Sequence, residues 1–424
     1  LARTRRHVIV GNSAAGLSAV KAIRKTGDGG AITLISAEDR PAYSPVLTTY
    51  YIGGEIEKSG LFLVDERFYR TMKVETLLGR RTVEIDPARK LVRLDNRMKV
   101  PYDDLLIATG ASARTLDQAD LEAKPLVSTL RTIDDAEKIK KFRVKAKEIV
   151  IIGAGLVSLQ TIKALLRKGL KITVLAGSYQ VLSQQMDAES AAFIQKRLEE
   201  EGVTLLFGRR VKGVHRKGDQ ARVVTNYNEV LPADLVFVGR GVRPNTQLAE
   251  SAGLEVHDGV IVDDRMRTNR EDIYAAGDVA EGRNSLTSRR EVFATWFNAC
   301  AQGEVAGLNM AGRPARRLSQ FRENVTTILG VVAASLGLSR AGGGEFEEIR
   351  YINEKKGIYR KLLFQERTLI GALLLGRIED AGVIRQCIAD RLDVSPWLNR
   401  IAAAPLDFGS IIGGRYPAWP MLSA

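Results

Sequence analysis

The chain has 424 residues, 45% hydrophobic and 27% charged, with a formal net charge of +13. This is a globular composition too long for one core, so two or three domains are expected. Two cysteines, Cys300 and Cys387, and three scattered histidines, His7, His215 and His257, argue against a disulfide framework and a histidine- or cysteine-built metal centre. No uninterrupted apolar run reaches the length of a membrane span. Leu1–Arg6 is basic and leads straight into a strand, which reads as no signal peptide and a cytoplasmic protein. The basic residues are spread out rather than gathered into a nucleic-acid-binding block, so the charge reads as attraction to an acidic partner or as a solvated surface.

In chain order, His7–Val10 reads as a short buried strand. Gly11-Asn12-Ser13-Ala14-Ala15-Gly16 follows, then a helical pattern over 17–24 and a second strand over 31–35. A glycine turn between strand and helix lets backbone N–H groups and the helix start meet a pyrophosphate. Ser13 stands where G-x-G-x-x-G has its middle glycine. Glu38, slightly past the strand end, is the acidic residue available for a ribose. The next stretch, Arg40–Gly54 (RPAYSPVLTTYYIGG), lies where nucleotide folds place a working loop. Past Arg40 it holds no charge, histidine or cysteine. Tyr102–Ala111 then reads as a strand ending in a glycine turn.

The pattern repeats. Glu148–Ile152 is a strand, Gly153-Ala154-Gly155-Leu156-Val157-Ser158 a glycine turn, 156–167 a helix and Lys171–Leu175 the next strand. Two such units suggest two dinucleotides. After the second strand, Ala176 and Gly177 stand where an acidic residue would hold an NAD ribose, and no arginine pair for a 2′-phosphate follows them. The local absence of positive charge favours NAD without excluding NADP. Ala233–Asn245, with Gly239 and Gly241, repeats the strand and turn. Thr268–Gly282 ends a strand in Gly277-Asp278. Strand patterns over 359–364 and 368–375 and a helix over 381–391 follow. Residues 397–424 look irregular, either an interaction tail or a plain surface segment.

In this order, these pieces resemble the pyridine nucleotide–disulfide oxidoreductase superfamily over nearly the whole chain. The likeness is closest to the branch of NADH:rubredoxin reductases and the flavin domains of nitrite reductases. Members there carry a loop like YSRPLLPYYL; Tyr43–Ile52 aligns with it without a gap, with Pro45 in place of the arginine. The resemblance implies an α/β fold of two Rossmann-like dinucleotide-binding domains plus a small α+β C-terminal domain. The FAD domain would be discontinuous (1–112 and 242–318), the NAD(P) domain (113–241) inserted in it, and 319–424 would form the third domain and tail.

It further implies FAD on the first unit, near Gly11, Ser13, Ala14, Ala15, Glu38, Ser44, Val46 and Gly277, with Arg40 as a charge for the FAD phosphates. Asp278 would bond the ribityl chain, and Ala108-Thr109-Gly110 would cross between the domains. NAD would lie on the second unit, near Gly153, Gly155, Leu156, Val157, Gly239 and Gly241, with Gln160 where relatives often have a glutamate toward the nicotinamide.

Relatives that reduce peroxide, oxygen or disulfides carry a redox cysteine in the loop; aligned on Tyr-Tyr-Ile, that position is Val46. A redox cysteine works as a thiolate, which valine does not offer, so no side chain of the loop is expected to react. The resemblance then implies an FAD-dependent oxidoreductase passing electrons between NAD(P)(H) and an acidic iron–sulfur, rubredoxin or ferredoxin-type protein. That protein could equally be a subunit of a larger complex such as a phenylglyoxylate-type 2-oxoacid oxidoreductase. Two alternatives stand beside it: an NADH oxidase reducing oxygen directly, and a non-catalytic flavoprotein binding nucleic acid.

Overall fold

The computed structural model describes residues 5–117, 122–339 and 346–394. These divide into two compact units: 1–181 together with 198–320, and 182–197 together with 321–424. Residues 182–197, expected inside the second nucleotide domain, group with the C-terminal unit. The tail over 397–424 lies outside the described residues.

The larger unit begins with β1 (Arg6–Val10), α1 (Ala14–Lys25), β2 (Ala31–Ser36), α2 (Thr48–Gly53), β3 (Val74–Leu78) and β4 (Asp104–Ile107). Then come β5 (Val127–Ser128), α3 (Ile133–Lys145), β6 (Glu148–Ile152), α4 (Leu156–Leu165), β7 (Lys171–Ala176), β8 (Thr204–Phe207) and β9 (Leu235–Val238), while α5 (Ala188–Glu200), between β7 and β8 in the chain, falls mostly in the C-terminal unit. After these come β10 (Ile273–Ala275) and α6 (Trp296–Met310). Two five-stranded parallel sheets result, ordered β10-β4-β1-β2-β3 and β8-β7-β6-β9-β5. Their central strands are buried on both faces and so read as continuous apolar runs, VIV and IVII, rather than as alternation.

The two sheets repeat one another bond for bond. Gly11 N–H donates to Ile35 O (2.9 Å) and Gly153 N–H to Leu175 O (2.8 Å). Ala108 N–H donates to Val10 O and Gly239 N–H to Ile152 O, both at 2.8 Å. Each glycine turn therefore leaves its sheet in the same way, beside the turn that follows the neighbouring strand. The helix of the first unit is held by α6. A Cβ on Gly303 would lie 2.2 Å from Ala15 O, and one on Gly307 2.5 Å from Ala19 O, so this G-x-x-x-G pair lets the two helices cross backbone to backbone.

The C-terminal unit carries β11 (Glu323–Ile328), β12 (Val331–Gly337), β13 (Glu347–Asn353), β14 (Ile358–Gln365), β15 (Thr368–Leu375) and α7 (Ala381–Ala389). Its antiparallel sheet has the order β11-β12-β15-β14-β13. Among the described residues no helix is long and apolar enough to cross a membrane, and no three His, Cys, Asp or Glu side chains gather as metal ligands.

Candidate functional site

At the first glycine turn, packing against protein dictates the two outer glycines. Gly11 has φ +128°, and a Cβ there would lie 2.0 Å from Ala108 O; one on Gly16 would lie 2.0 Å from Gly11 O. Ser13 is the N-cap of α1 in extended conformation, its side chain makes no capping bond, and the first turn (Ala14, Ala15, Gly16) holds no acidic residue. At the second turn Gly153 has φ +101° and its Cβ would lie 2.4 Å from Gly239 O, whereas Gly155 has no protein atom nearer than 4.0 Å. Gly155 caps α4, again without a side-chain cap or an acidic first turn. By contrast α3 is closed by a Thr132–Asp135 capping box. Both helix starts that follow glycine turns thus lack a side-chain cap and a competing carboxylate in the first turn, which suits a pyrophosphate on each.

Ser158, in the place of the second turn's last glycine, is fully buried, and among the described residues its hydroxyl has no hydrogen-bond partner. It fills the space left by Gly239, where a Cβ would lie 2.0 Å from Ser158 Oγ. On α4, Leu156 and Gln160 are half-buried and Val157 is exposed. Gly241, at φ +85°, faces open space.

Past β2, both oxygens of Glu38 accept from Tyr43 OH (3.0 and 2.9 Å). Burial raises the Glu38 pKa, an effect that the Tyr43 bond and the Arg40 charge oppose. Arg40 is engaged by Asp134 (3.1 Å) at the start of α3. Asn12, inside the glycine turn, accepts from Tyr69 OH (2.9 Å), which itself accepts from Ala42 N–H (3.0 Å). These bonds pin the uncharged loop to the turn.

The loop itself is a 3-10 turn, Pro45–Leu47, running into α2. Ser44 is buried and Val46 is 58% exposed. The loop's tyrosines serve packing: Lys163 sits 4.7 Å over the Tyr50 ring and Lys140 3.8 Å over Tyr51. Lys163 also pairs with Glu55 (3.0 Å). The loop thus docks onto α3 and α4 of the second nucleotide unit.

The crossover is a two-stranded latch. Ala111–Ala113 pairs antiparallel with Val242–Pro244. Asn245 donates through Nδ2 to Thr109 O (2.8 Å), and its backbone N–H donates to Gly110 O (2.9 Å). Gly277 N–H donates to the buried Gln302 Oε1 (2.8 Å), whose Nε2 donates to Gln320 Oε1 (3.0 Å). Next to it Asp278 accepts from Arg131 Nη2 (2.6 Å). Sequence reading gave no role to Asn12, although it lies within the first glycine turn, and missed Arg131 and Gln302, which lie in no motif and are brought to the turns only by the fold. It also placed no arginines beside Gly177. Arg209 and Arg210, more than thirty residues further on, come there: Arg209 N–H donates to Ala176 O (3.0 Å), and the Arg210 stem lies 3.9 Å from where a Gly177 Cβ would be.

Neither cysteine joins this constellation. Cys300 is half-buried on α6, packed against the first sheet's core. Cys387 is buried on α7, where burial pushes its thiol pKa up to about 11.

Residues 5–303 match the pyridine nucleotide-disulphide oxidoreductase family, and 324–392 match the rubredoxin NAD+ reductase C-terminal domain. The chain is 31% identical over 407 residues to the NADH-dependent phenylglyoxylate dehydrogenase subunit epsilon of Aromatoleum evansii, covering 95% of this chain and 96% of the relative. It is 33% identical to the rubredoxin-NAD(+) reductase of Pseudomonas putida, over 72% of this chain and 80% of the relative. Among solved structures, the covalent putidaredoxin reductase–putidaredoxin complex superposes with a TM-score of 0.89 at 26% identity, covering 97% of this chain and 98% of the other.

Proposed function

We propose that this chain, which belongs to the pyridine nucleotide-disulphide oxidoreductase family, passes electrons between NAD(P)(H) and an acidic iron–sulfur, rubredoxin or ferredoxin-type protein without a redox cysteine. It is an FAD- and NAD(H)-binding oxidoreductase. The observation that carries the thiol-free reading is that the loop holds no cysteine and Cys387 is buried with its thiol pKa raised; by the resemblance, Val46 stands where relatives carry the redox cysteine.

FAD suits the first unit, whose α1 start offers uncapped donors and whose Glu38 stands past β2. There Gly11, Ser13, Ala14 and Ala15 would receive the pyrophosphate, Glu38 the ribose and Asp278 the ribityl chain. Ser44 and Val46 would border the ring, with Gly277 and the Ala108–Gly110 turn behind. NAD(H) suits the second unit, with Gly153, Gly155, Leu156 and Val157 at its pyrophosphate, Gly239 and Gly241 beside it and Gln160 toward the nicotinamide. Arg40 is given a smaller part than its position in the sequence suggested, since Asp134 already neutralises it. The domains we assign are 1–112 with 242–318 for FAD, 113–241 for NAD(P) and 319–424 for the C-terminal part.

Bound FAD supplies a ring that takes two electrons from a nicotinamide and releases them singly. The chain contributes positioning: two repeated sheets hold both turns, and the 111–113/242–244 latch sets one against the other. Nothing in this step demands a side-chain acid or base. The names of the two relatives support either a separate small carrier or a fixed subunit as partner, and the net charge of +13 supports an acidic one. A cytoplasmic location belongs to the same proposal. Bleaching of the bound flavin by NADH under argon, followed by reoxidation with an iron–sulfur protein, tests it.

A further inference from the structure

The internal repeat extends beyond the glycine turns. In the first unit the chain leaving β3 turns back on the end of β2: Gly79 N–H donates to Glu38 O (3.0 Å) and Arg80 N–H to Ser36 O (2.8 Å). In the second, Gly208 N–H donates to Ser178 O (3.3 Å) and Arg209 N–H to Ala176 O (3.0 Å). Both turns read Gly-Arg-Arg, and both glycines have positive φ, +66° and +67°. The last arginine is held alike in each: Arg81 N–H donates to Asp95 Oδ2 (3.2 Å), Arg210 N–H to Asn226 Oδ1 (2.8 Å).

The backbone therefore assigns Ser178 to the place of Glu38 and Asn226 to the place of Asp95. The second unit keeps the arginines and loses both carboxylates. In a dinucleotide fold this is where an acidic residue bonds the 2′-hydroxyl of the adenosine ribose, or where an arginine takes a 2′-phosphate. Arg209 is already neutralised, since Glu229 accepts from it at 2.8 and 3.1 Å. Arg210 is exposed, and among the described residues its guanidinium has no hydrogen-bond or ion-pair partner. Its stem lies over Gly177, whose missing side chain leaves that approach open.

We infer that the second nucleotide unit accepts a 2′-phosphate through Arg210, so that the chain uses NADPH at least as well as NADH. This rests on the oxidoreductase reading and names the dinucleotide class of the same site. A 2′-phosphate opposite Glu38 would meet a carboxylate; opposite Ser178 it meets a hydroxyl-bearing residue and a planar cation suited to phosphate oxygens.

The test uses the FAD-loaded full chain. Isothermal titration compares 2′,5′-ADP with 5′-AMP, and anaerobic flavin bleaching compares NADPH with NADH. Wild type should bind 2′,5′-ADP about tenfold more tightly than 5′-AMP, the scale of one charge-assisted phosphate contact. Arg210→Ala should remove that advantage and lower the NADPH-to-NADH ratio of kcat/KM about as much. Arg210→Lys should retain part of it, and Ser178→Glu should reverse it. If NADH bleaches the flavin while wild type shows no preference for 2′,5′-ADP, or Arg210→Ala leaves the ratio unchanged, the inference falls and the oxidoreductase reading stands. If neither dinucleotide bleaches the flavin, both fall.

Discussion

Arg131 Nη2 donates to Asp278 Oδ2 at 2.6 Å, passing 3.6 Å from where a Cβ on Gly110 would lie. The bond joins the chain entering α3, the crossover turn and the turn after β10. It holds the Asp278 carboxylate, 14% exposed, in a fixed direction. Asp278→Ala is expected to lose FAD, because the proposed acceptor for the ribityl chain and the partner of Arg131 disappear together. The affinity loss should be about tenfold or more, the scale of a charged hydrogen bond removed. Flavin-to-protein absorbance after gel filtration reads it; a variant that leaves the column as yellow as wild type contradicts the assignment.

The glycines of the second turn separate folding from nucleotide binding. Gly153→Ala places a Cβ 2.4 Å from Gly239 O at φ +101° and should destabilise the protein by about 2 kcal/mol or more. Gly155→Val meets no protein atom within ordinary contact, and its φ of −85° suits any residue. It should melt like wild type, keep FAD, and raise KM for NADH through its clash with the pyrophosphate. Unchanged flavin reduction by NADH in Gly155→Val would show the second site to be elsewhere.

Both βαβ units and their glycine turns were legible because each turn stands between an apolar strand and a helix start, a pattern local in the sequence, even though the carbonyls that crowd Gly11 and Gly153 come from Ala108 and Gly239 far along the chain. The uncharged loop was legible as lacking a nucleophile, but not as the helix Thr48–Gly53, since its tyrosines are ordered by Lys140 and Lys163 from the other unit. Arg131, Gln302 and Arg210 were not legible, because the turn on which each works, at Asp278, Gly277 and Gly177 respectively, lies far from it in the sequence. A signal for Arg210 was present in the recurrence of Gly-Arg-Arg at 79–81 and 208–210. One for the close α1–α6 crossing was present in Gly303-x-x-x-Gly307.

Thiol chemistry should be dispensable. A Cys300→Ser, Cys387→Ser double variant is expected to keep acceptor reduction within about twofold of wild type, since Cys300 packs half-buried against the first sheet's core and Cys387 is a buried thiol whose raised pKa leaves little thiolate. Loss of most activity with an unchanged circular dichroism spectrum would overturn the reading of Val46.

Within the C-terminal unit Asp187 accepts from Tyr359 OH (2.7 Å) and Lys361 Nζ (3.0 Å). Burial alone would raise its pKa, but bonds from Ser190, Tyr359 and Lys361 outweigh it and bring the carboxyl down to about 2. A depressed carboxylate stabilises the fold above its unfolded pKa of about 3.9, and that stabilisation, about 2 kcal/mol, is lost as pH falls toward the folded value. Thermal melts of wild type and Asp187→Asn should therefore differ most near neutral pH and converge between about pH 4 and pH 2. A gap that stays constant down to the acid limit would remove the carboxylate's charge from the account.

The central claim, electron passage from a nicotinamide through FAD to an acidic protein, is tested most directly by anaerobic stopped flow on the two half-reactions across a salt series. NADH should bleach the flavin rapidly at every salt concentration, because that step does not depend on long-range attraction between two proteins. Reoxidation by an oxidised ferredoxin or rubredoxin should follow without oxygen. It should slow several-fold as salt shortens the screening length below about 8–10 Å, given the chain's +13 charge. A flavin that NADH leaves oxidised, or a reduced flavin that only oxygen can reoxidise, would contradict the account.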